Sequence, residues 1–465
     1  MSDSTPRRPT AIVIGASAAG LFAAAVLAEF ADVTVIESDT LPEGPETRRG
    51  VPQDRHAHLV WSGGVQAFSD ILPGIVDEVV ASGARLAHVM GDMVSRSPNE
   101  VWFRRFTTTH HHILVCSRPL LDSVLRARVL SDDRIAHHQN TKVSGLRGTA
   151  VRVTGVDIES GGDRRTLTAD LIVDASGRGS RSPDWLRDLG LPEVSKRKVS
   201  AGVAYATRLY KAPGVTEAIN FPLVNVQANP AKAPGQGGII LPIEGGRWIV
   251  TLSGTRGGEP TGDSDAFVNF ALGLGDPIIG ELLADAEPLS DVATTRSTAN
   301  HRRYYEKMRQ WPDGYVVLGD AIASYNPVYG HGLTVAAQCA LAVRSVLRSH
   351  DITARGTARR LQRAAARPVT DAWGLAVGQD AFYPGATDTP PTGVERLMAR
   401  YVDRCVETGA RNPRALGTLL DVMSMSRRPT RLFSPDMLLP LLFGPRKPRL
   451  EGAPISEAER TAVIT

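Results

Sequence analysis

The chain has 465 residues, of which 42% are hydrophobic and 22% are charged, and its formal net charge is +4. This composition excludes a disordered or fibrous chain and supplies enough apolar material for a large globular core. Lys and Arg residues are distributed along the whole sequence, so a nucleic-acid partner is not expected.

The three cysteines, Cys116, Cys339 and Cys405, are widely separated and match no metal-binding spacing. Neither a disulfide framework nor a metal site is therefore expected, and a reducing, cytoplasmic location is favoured. The polar N-terminus lacks the apolar region of a signal peptide. No uncharged apolar stretch of about 20 residues occurs, so a membrane is not an expected partner.

A strand–turn–helix–strand pattern opens the chain. The apolar run Ala11–Ile14 precedes a glycine-rich turn, Leu21–Phe30 is rich in Ala and Leu as a packed helix is, and the β-branched run Val33–Ile36 ends at Glu37. This order is typical of a parallel sheet.

The turn is a G-x-G-x-x-G fingerprint with serine in place of the second glycine. Such a turn brings a helix N-terminus to a pyrophosphate, and an acid about 20 residues later accepts ribose hydroxyls. The alternative is a tight turn in an unrelated α/β protein, and the motif does not separate NAD from FAD. The predicted dinucleotide-binding residues are Gly15, Ser17, Ala18, Ala19, Gly20 and Glu37.

A polar loop follows, with the sequence RRGVPQDRHAH over residues 48–58. It would run along the carboxyl edge of the sheet toward the cofactor ring, where Arg49, Val51 and Gln53 are predicted to contact it. A solvated structural loop is the alternative. The two histidines have no nearby Cys or carboxylate to complete a metal site.

Helices are predicted at about Gly64–Val80 and Arg118–Leu130, and Arg118 is a candidate contact for a cofactor phosphate. A surface charge at a helix start is an equal alternative for Arg118. The tract His110–His112 is interpreted as strand and pocket wall and not as a metal site, because only two of three consecutive strand residues share a face.

Strands are predicted at Ala150–Glu159 and Arg165–Leu171, and then through an extended region from about Lys198 to Gly258. The clearest strands of that region are Ala201–Tyr210, Gly238–Pro242 and Arg247–Ser253. Their alternating apolar and aromatic residues are predicted to line a substrate pocket: Tyr205, Phe221, Ile240 and Trp248.

A second glycine motif resembles the G-D…P-x-x-G-x-G pattern of flavoprotein monooxygenases, and this resemblance favours FAD over NAD. The apolar strand Tyr315–Leu318 leads into Gly319-Asp320, and NPVYGHG at residues 326–332 precedes a helix from about Leu333 to Leu347. A strand ending in a turn, with Asp320 as a helix cap, does not explain this P-x-x-G-x-G spacing. The glycines bring a helix N-terminus to a group that becomes negatively charged. The predicted contacts are Gly319, Asp320, Pro327, Gly330, Gly332 and Leu333.

The chain after this helix is predicted to be helical to about residue 430 and Pro-rich beyond it. The segment Leu432–Phe443 (LFSPDMLLPLLF) allows two interpretations. It could be an amphipathic membrane anchor, but its two prolines and single Asp favour internal packing.

With these motifs, the chain resembles FAD monooxygenases of the para-hydroxybenzoate hydroxylase fold. More narrowly, it is similar to the actinobacterial polyether epoxidases, those of monensin and lasalocid biosynthesis. The resemblance covers roughly residues 8 to 350 and is weaker after about residue 375. It rests on RGVPQDRHAHLVW (49–61), SRPLLD (117–122), DASGRGS (174–180), GVAYATRLYKAP (202–213), PIEGGRWIVTLSGTRGG (242–258) and NPVYGHG (326–332).

The resemblance implies an α/β fold in which a Rossmann-type FAD-binding domain is interleaved with a mainly β substrate domain and followed by a helical C-terminal region. The FAD-binding domain is expected to comprise residues 8–62, 112–190 and 296–350. The substrate-binding domain is expected to comprise residues 63–111 and 191–295, and the helical region residues 351–465.

The implied activity is epoxidation of alkenes in a linear polyene polyketide through a flavin C4a-hydroperoxide. FAD, O2 and NADPH or a partner reductase are the expected cofactors and electron sources, and no catalytic side chain is assigned because the flavin is the oxidant. At Ala175-Ser176-Gly177 aromatic hydroxylases of this class usually have Ala-Asp-Gly, so direct reduction by NADPH is uncertain there. Gly177 is an implied FAD contact.

Three other activities share the fold. Hydroxylation of an aromatic or polyketide or terpenoid natural product is the main alternative. Halogenation is disfavoured because no W-x-W-x-I-P motif occurs. Reduction of isoprenoid double bonds would be separated by a product assay.

Overall fold

The structure is a computed structural model that describes residues 7–107, 110–296 and 298–464. Its strands form two large sheets and three small ones. The strands are β1 Thr10–Ile14, β2 Asp32–Ile36, β3 Leu59–Val60, β4 Arg85–His88, β5 Met93–Arg96, β6 His112–Val115, β7 Ile135–His138, β8 Lys142–Gly148, β9 Val153–Ser160, β10 Asp163–Thr168, β11 Leu171–Asp174, β12 Lys196–Val199, β13 Ala204–Lys211, β14 Leu223–Val226, β15 Gln236–Ile243, β16 Arg247–Gly254, β17 Ala293–Thr295, β18 Asn300–Arg303, β19 Tyr315–Val317 and β20 Ala323–Ser324.

The helices lie between the strands in the first half of the chain and dominate its last third. They are α1 Ala18–Leu27, α2 Ser62–Ile71, α3 Ile75–Ala81, α4 Arg118–Leu130, α5 Ser182–Asp188, α6 Ser264–Leu272, α7 Ile278–Leu283, α8 Gly332–Leu347, α9 Thr357–Asp380, α10 Gly393–Gly409, α11 Pro413–Met423, α12 Pro435–Phe443 and α13 Glu457–Ile464.

The first large sheet is parallel, with strand order β19-β11-β1-β2-β7. Its central strands are continuous apolar runs because helices cover both faces, so neither face meets water. Helices α1, α4, α8 and α9 pack around it, and its residues form one core with theirs. The order of this Rossmann-type sheet brings the ends of β1, β11 and β19 side by side.

The second large sheet has the order β17-β13-β16-β15-β14-β5 and is antiparallel except where β5 meets β14. One face packs against α6 and α7 as an apolar core. The other face points toward the parallel sheet and carries Tyr205, Thr207 and Thr251. The predicted α/β fold with a mainly β second unit and a helical C-terminal region is confirmed.

The predicted elements are largely confirmed, with two breaks. The strand expected over Arg165–Leu171 is instead the end of β10 and the first residue of β11. Helix α4 has its predicted bounds, and α8 begins one residue earlier than predicted. The helix expected over Gly64–Val80 is instead two, because Gly74 takes a φ of +86° between α2 and α3. That left-handed conformation stops a helix and is open to glycine.

Elements at three places make contacts across the predicted domain boundaries, which stay predictions. Helices α2 and α3, expected in the substrate-binding unit, pack into the core of the parallel sheet with α1 and α8. Strand β12 pairs with β18 and so joins the two units. Helix α9 packs along α8 and is part of the same core. These elements bury apolar faces that their own units cannot cover.

No helix among the described residues is long and apolar enough to cross a membrane.

Candidate cofactor and substrate site

The turn after β1 depends on two of its glycines. Gly15 has a φ of +101°, and a Cβ there would lie 2.8 Å from the carbonyl oxygen of Ala175. A Cβ on Gly20 would lie 1.8 Å from the carbonyl oxygen of Gly15. Neither position tolerates a side chain, so α1 starts close to the end of β1, as a phosphate-binding turn requires.

The N-terminus of α1 faces a buried arginine. Ser17 is its N-cap but makes no side-chain capping bond, and its Oγ accepts a hydrogen bond from Arg118 at 3.0 Å. Arg118 is held from the other side by Asp122, with Nε 2.9 Å from the carboxylate. Free backbone N–H groups and a guanidinium therefore converge on one point, which suits a pyrophosphate.

Glu37 lies at the end of β2 and is buried. Its carboxylate accepts hydrogen bonds from the backbone N–H groups of Ala16 at 2.8 Å and Asp39 at 3.0 Å, and Arg48 lies 3.1 Å away. Burial by itself would raise the pKa of Glu37, but these bonds and the Arg48 charge outweigh it and hold the pKa below its usual value. The ionised carboxylate suits a ribose hydroxyl.

The second glycine motif meets the first one in space. Gly319 has a φ of +61°, and a Cβ there would lie 2.8 Å from the Cβ of Ala19. Asp320 follows, and no described protein group donates a hydrogen bond to its carboxylate. Removal from water raises the pKa of Asp320, while the charges of Arg178 and Arg118 lower it. A carboxylate without a protein donor at this junction fits a hydroxyl of the ribityl chain.

The loop of residues 326–332 ends at the N-terminus of α8. Gly330 has a φ of +65°, and Trp61 donates to the carbonyl of the preceding Tyr329 at 3.0 Å. A Cβ on Gly332 would meet nothing within 4 Å, so the first turn of α8 borders open space. Such an open helix N-terminus attracts the negative charge of a reduced flavin ring.

His331 supports the same interpretation. Its Nε2 donates to the carbonyl of Met423 at 2.9 Å, and burial lowers its pKa to about 4. The imidazole is therefore neutral, and its buried Nδ1 has no hydrogen-bond partner among the described residues. A buried acceptor without a partner is costly unless a bound group supplies a donor.

A buried carboxylate on α9 holds this loop. Asp380 is 2% exposed and accepts hydrogen bonds from Asn326 at 3.0 Å, Asn300 at 2.6 Å and the Tyr329 hydroxyl at 2.6 Å. Its burial raises its pKa, and the three donors oppose that shift. Asp380 thereby fixes both ends of the Asn326–Tyr329 turn.

The substrate-side sheet reaches this loop through Tyr205, whose hydroxyl donates to the Asn326 side-chain oxygen at 2.6 Å. Beside it, His56 Nδ1 lies 2.7 Å from the Thr207 hydroxyl, which lies 2.7 Å from the Thr251 hydroxyl. The Ala57 N–H donates to Thr251 at 3.1 Å. This chain connects the loop of residues 48–58 to β13 and β16.

His56 is uncharged at neutral pH. It is buried, which together with the charge of Arg55 lowers its pKa to about 4. If hydroxyl protons run from Thr251 through Thr207 to Nδ1, the imidazole proton is on Nε2.

The turn after β11 has Ser176 where aromatic hydroxylases of this class usually have Asp, and the contacts of this serine show its role. Ser176 donates to the buried Asp174 at 2.5 Å, and Ser180 and Ser182 donate to the other oxygen of the same carboxylate. Ser176 is thus bound to its own strand end. Gly177 has a φ of +78° with open space at its Cβ position.

The structure brings together most of the predicted cofactor residues and separates three predicted pocket residues. Val51 is buried in the loop of residues 48–58, where Arg49 and Gln53 are exposed, and these three contacts stay predictions. Phe221, Ile240 and Trp248 lie on the face of the second sheet that packs on α6 and α7. In the strands, Ile240 and Trp248 alternate with the residues that face the cofactor loop, and the assignment of all three residues to the pocket stays a prediction.

Several residues of the site were not predicted from the sequence: Arg48, His56, Thr207, Thr251 and Asp380. Thr207 could have been identified from Tyr205, because residues two positions apart in a strand face the same side of the sheet. Nothing in the local sequence identifies Asp380, which belongs to a helix some 50 residues after the loop.

Comparisons with known proteins agree with this site. Residues 8–367 match the FAD binding domain family. Over 394 residues the chain is 34% identical to protein Rv3254 of Mycobacterium tuberculosis H37Rv, covering 82% of each chain.

Solved structures share the fold at low identity. The flavin-dependent brominase Bmp2 has a TM-score of 0.65 at 13% identity, covering 92% of this chain and 96% of its own. PqsL of Pseudomonas aeruginosa has a TM-score of 0.61 at 17% identity, covering 85% and 100%. The p-nitrophenol 4-monooxygenase PnpA of Pseudomonas putida has a TM-score of 0.59 at 13% identity, covering 90% and 97%.

The residues present fit FAD: an uncapped helix N-terminus beside Arg118, an ionised Glu37, the free Asp320 carboxylate and the open start of α8. The chain belongs to the FAD binding domain family.

Proposed function

We propose that the protein is an FAD-dependent monooxygenase that inserts one oxygen atom of O2 into a hydrophobic small molecule. The observation that carries the proposal is the bond from Tyr205 to Asn326, which joins the inner face of the second sheet to the predicted flavin loop. A substrate lying on that face would therefore lie over the reactive part of the cofactor.

Bound FAD, once reduced, supplies the activation of O2, and this chain binds it, orients it and excludes water. Tyr205, Asn326 and Asp380 are nearly inaccessible to solvent, so this end of the site is dry. The electrons would come from NADPH or from a partner reductase, and Ser176, in place of an Asp, leaves both sources open.

Within this activity, we favour epoxidation of alkenes in a linear polyene polyketide, by resemblance to polyether epoxidases. His56, which is bonded to Thr207, is not suited to activate a phenol. Hydroxylation of a phenol needs a base with a pKa near the working pH. A histidine whose pKa is about 4 is a poor base for that step. Hydroxylation of a phenolic or terpenoid product is the alternative.

The test is a product assay on the FAD-loaded full chain. NADPH oxidation would be followed under isotopically labelled O2 with a linear polyene, with a phenol, and in a further sample that contains bromide. The products would be identified by mass spectrometry. We expect the label in the polyene as epoxide oxygen. Label found only in the phenol would favour hydroxylation over epoxidation. Bromination, or reduction of the alkene without incorporation of the label, would overturn the proposed monooxygenase activity. Failure to bind FAD would overturn the site itself.

A further inference from the structure

Helix α10 carries an apolar stripe that is only half covered. Val394, Leu397, Met398 and Tyr401 follow the spacing of one helix face, which continues into the buried Cys405. The second half of this stripe packs on α11 and α12. The first half does not, and Val394 is 74% and Leu397 67% exposed. An apolar helix face without a partner marks an interaction surface.

Helix α12 is apolar on both sides. Met437, Pro440 and Leu441 face the protein and are buried, as internal packing of this segment predicts. Its outer side carries Leu438, Leu439, Leu442 and Phe443, of which Leu442 is 69% and Phe443 79% exposed. A helix that is apolar all round is typical of one with apolar surroundings on all sides. Packing on the protein therefore accounts for only half of this segment.

The two helices form one surface. The Tyr401 hydroxyl of α10 donates to the carbonyl of Leu432, just before α12, at 2.5 Å. The Tyr401 and Phe433 rings are stacked with centroids 5.0 Å apart. We call the exposed apolar side chains of α10 and α12, together with Phe433, the apolar patch. Its larger members are Val394, Leu397, Met398, Phe433, Leu438, Leu439, Leu442 and Phe443.

The apolar patch lies in a basic part of the chain. Residues 391–450 contain eleven Lys and Arg against five Asp and Glu, a net charge of +6, whereas the whole chain is +4. Glu407, Asp421 and Asp436 are each already paired with arginines of the same region. Within the described part of the chain no carboxylate pairs with the exposed Arg396, Arg400 and Arg446, and Arg446 follows Phe443 by three residues.

We propose that the apolar patch docks onto the surface of an anionic lipid bilayer. Leucine and phenylalanine side chains enter the boundary between headgroups and acyl chains, and nearby arginines bind the negative headgroups. Such adsorption needs no spanning helix, so it agrees with the absence of one among the described residues. The inference does not depend on the proposed oxygenation.

Charge decides between a bilayer and a second copy of this chain. A two-fold dimer through the patch would bring the exposed Arg396, Arg400 and Arg446 of both copies to one interface, because the same residues meet in both copies. Like charges facing each other across an interface are unfavourable. An anionic bilayer neutralises the same arginines.

The experiment is flotation of the FAD-loaded full chain with vesicles. One set contains phosphatidylcholine alone, and the other contains three parts phosphatidylcholine to one part phosphatidylglycerol. We expect binding to the anionic vesicles that weakens in high salt, because salt screens the arginines. The double variant L442S/F443S should bind at least about tenfold more weakly, since two exposed apolar side chains are lost. The triple variant R396Q/R400Q/R446Q should lose most of the preference for anionic over neutral vesicles.

The matched control is V151S/L289S, because Val151 is 66% and Leu289 45% exposed and both lie outside the apolar patch. It should bind the vesicles like the unchanged chain. FAD absorbance and the melting temperature show that each variant is folded. No binding to anionic vesicles, or binding unaltered in L442S/F443S, would overturn the proposal. A dimer that dissociates in L442S/F443S, with no vesicle binding, would assign the patch to a second copy.

Discussion

The two faces of the second sheet are made by the same strands but have different roles. On one face Ala206, Tyr210 and Trp248 are buried and pack against α6 and α7. On the other, Tyr205 and Thr207 alternate with them along β13 and make hydrogen bonds toward the cofactor loop. The side-chain period of a strand separates them, since neighbours point to opposite faces.

The comparison shows that size and aromaticity do not identify a pocket residue. Trp248 is 1% exposed and packs against Phe221 in a tilted ring pair, with 5.0 Å between the ring centroids. The small polar residues Thr207 and Thr251 occupy the face that meets the cofactor loop. We therefore expect the outer face, which packs on α6 and α7, to contribute mainly to stability. We expect the inner face, which meets the cofactor loop, to contribute mainly to function. The following predictions test that division, from the largest expected effect to the smallest.

Trp248→Ala should have the largest effect. Removal of a fully buried indole leaves a cavity, so the free energy of unfolding should fall by about 3–5 kcal/mol. Urea denaturation followed by circular dichroism measures it. Trp248→Phe, the control, should cost less because it keeps an aromatic ring against Phe221. A Trp248→Ala protein of normal stability that fails to bind substrate would return Trp248 to the pocket.

His56 should make stability depend on pH. Its folded pKa of about 4 lies below the ordinary 6.5, so the unfolded chain binds more protons between these values. The contribution to stability is present above pH 6.5 and is lost as pH falls toward 4, by about 3 kcal/mol in total. His56→Gln should reduce the slope of unfolding free energy over this window, while His58, His301 and His331 keep part of it. If the unfolding free energy depends on pH equally in both proteins, a group other than His56 is responsible for that dependence.

Thr207→Val should affect function more than stability. It removes the hydroxyl between His56 and Thr251, which costs about 1–2 kcal/mol of unfolding free energy. FAD affinity should be unchanged, while the fraction of NADPH oxidation that yields oxygenated product should fall. Thr207→Ser, which keeps the hydroxyl, should restore that fraction. Loss of FAD binding in the valine variant alone would show that the inner face supports the cofactor directly.

Ile240→Val should have the smallest effect. It removes one methylene from the outer face, so unfolding free energy should fall by about 1 kcal/mol. Product distribution and the Michaelis constant for the substrate should not change, because Ile240 lies on the side of α6 and α7. A changed product pattern in Ile240→Val would contradict the separation of the two faces.

Much of the cofactor site was predictable because its motifs are local. Gly15 and Gly20 need backbone space that no other residue gives, and Asp320 directly follows a buried strand. Spacing along the chain therefore identifies them. The pocket residues could not be chosen in the same way, because an alternating strand buried on both faces does not show which parity faces the cofactor. Only the structure shows that Phe221, Ile240 and Trp248 lie on the side of α6 and α7.

Asp380 shows the limit of local reasoning most clearly. Its importance arises from bonds to Asn300, Asn326 and Tyr329, which only the packing of α9 against the cofactor loop brings together. The segment Leu432–Phe443 shows the same limit at the surface, since its sequence is apolar on both sides and packing alone leaves one side exposed.

The sequence by itself determined the Rossmann-type unit, its phosphate turn and its second glycine motif, because each depends on backbone geometry within a few residues. The tertiary structure alone decided which face of the second sheet meets the cofactor loop, which buried carboxylate holds that loop and which apolar residues stay exposed. Those outcomes depend on contacts between residues distant in sequence, and such contacts leave no periodic signal in the chain.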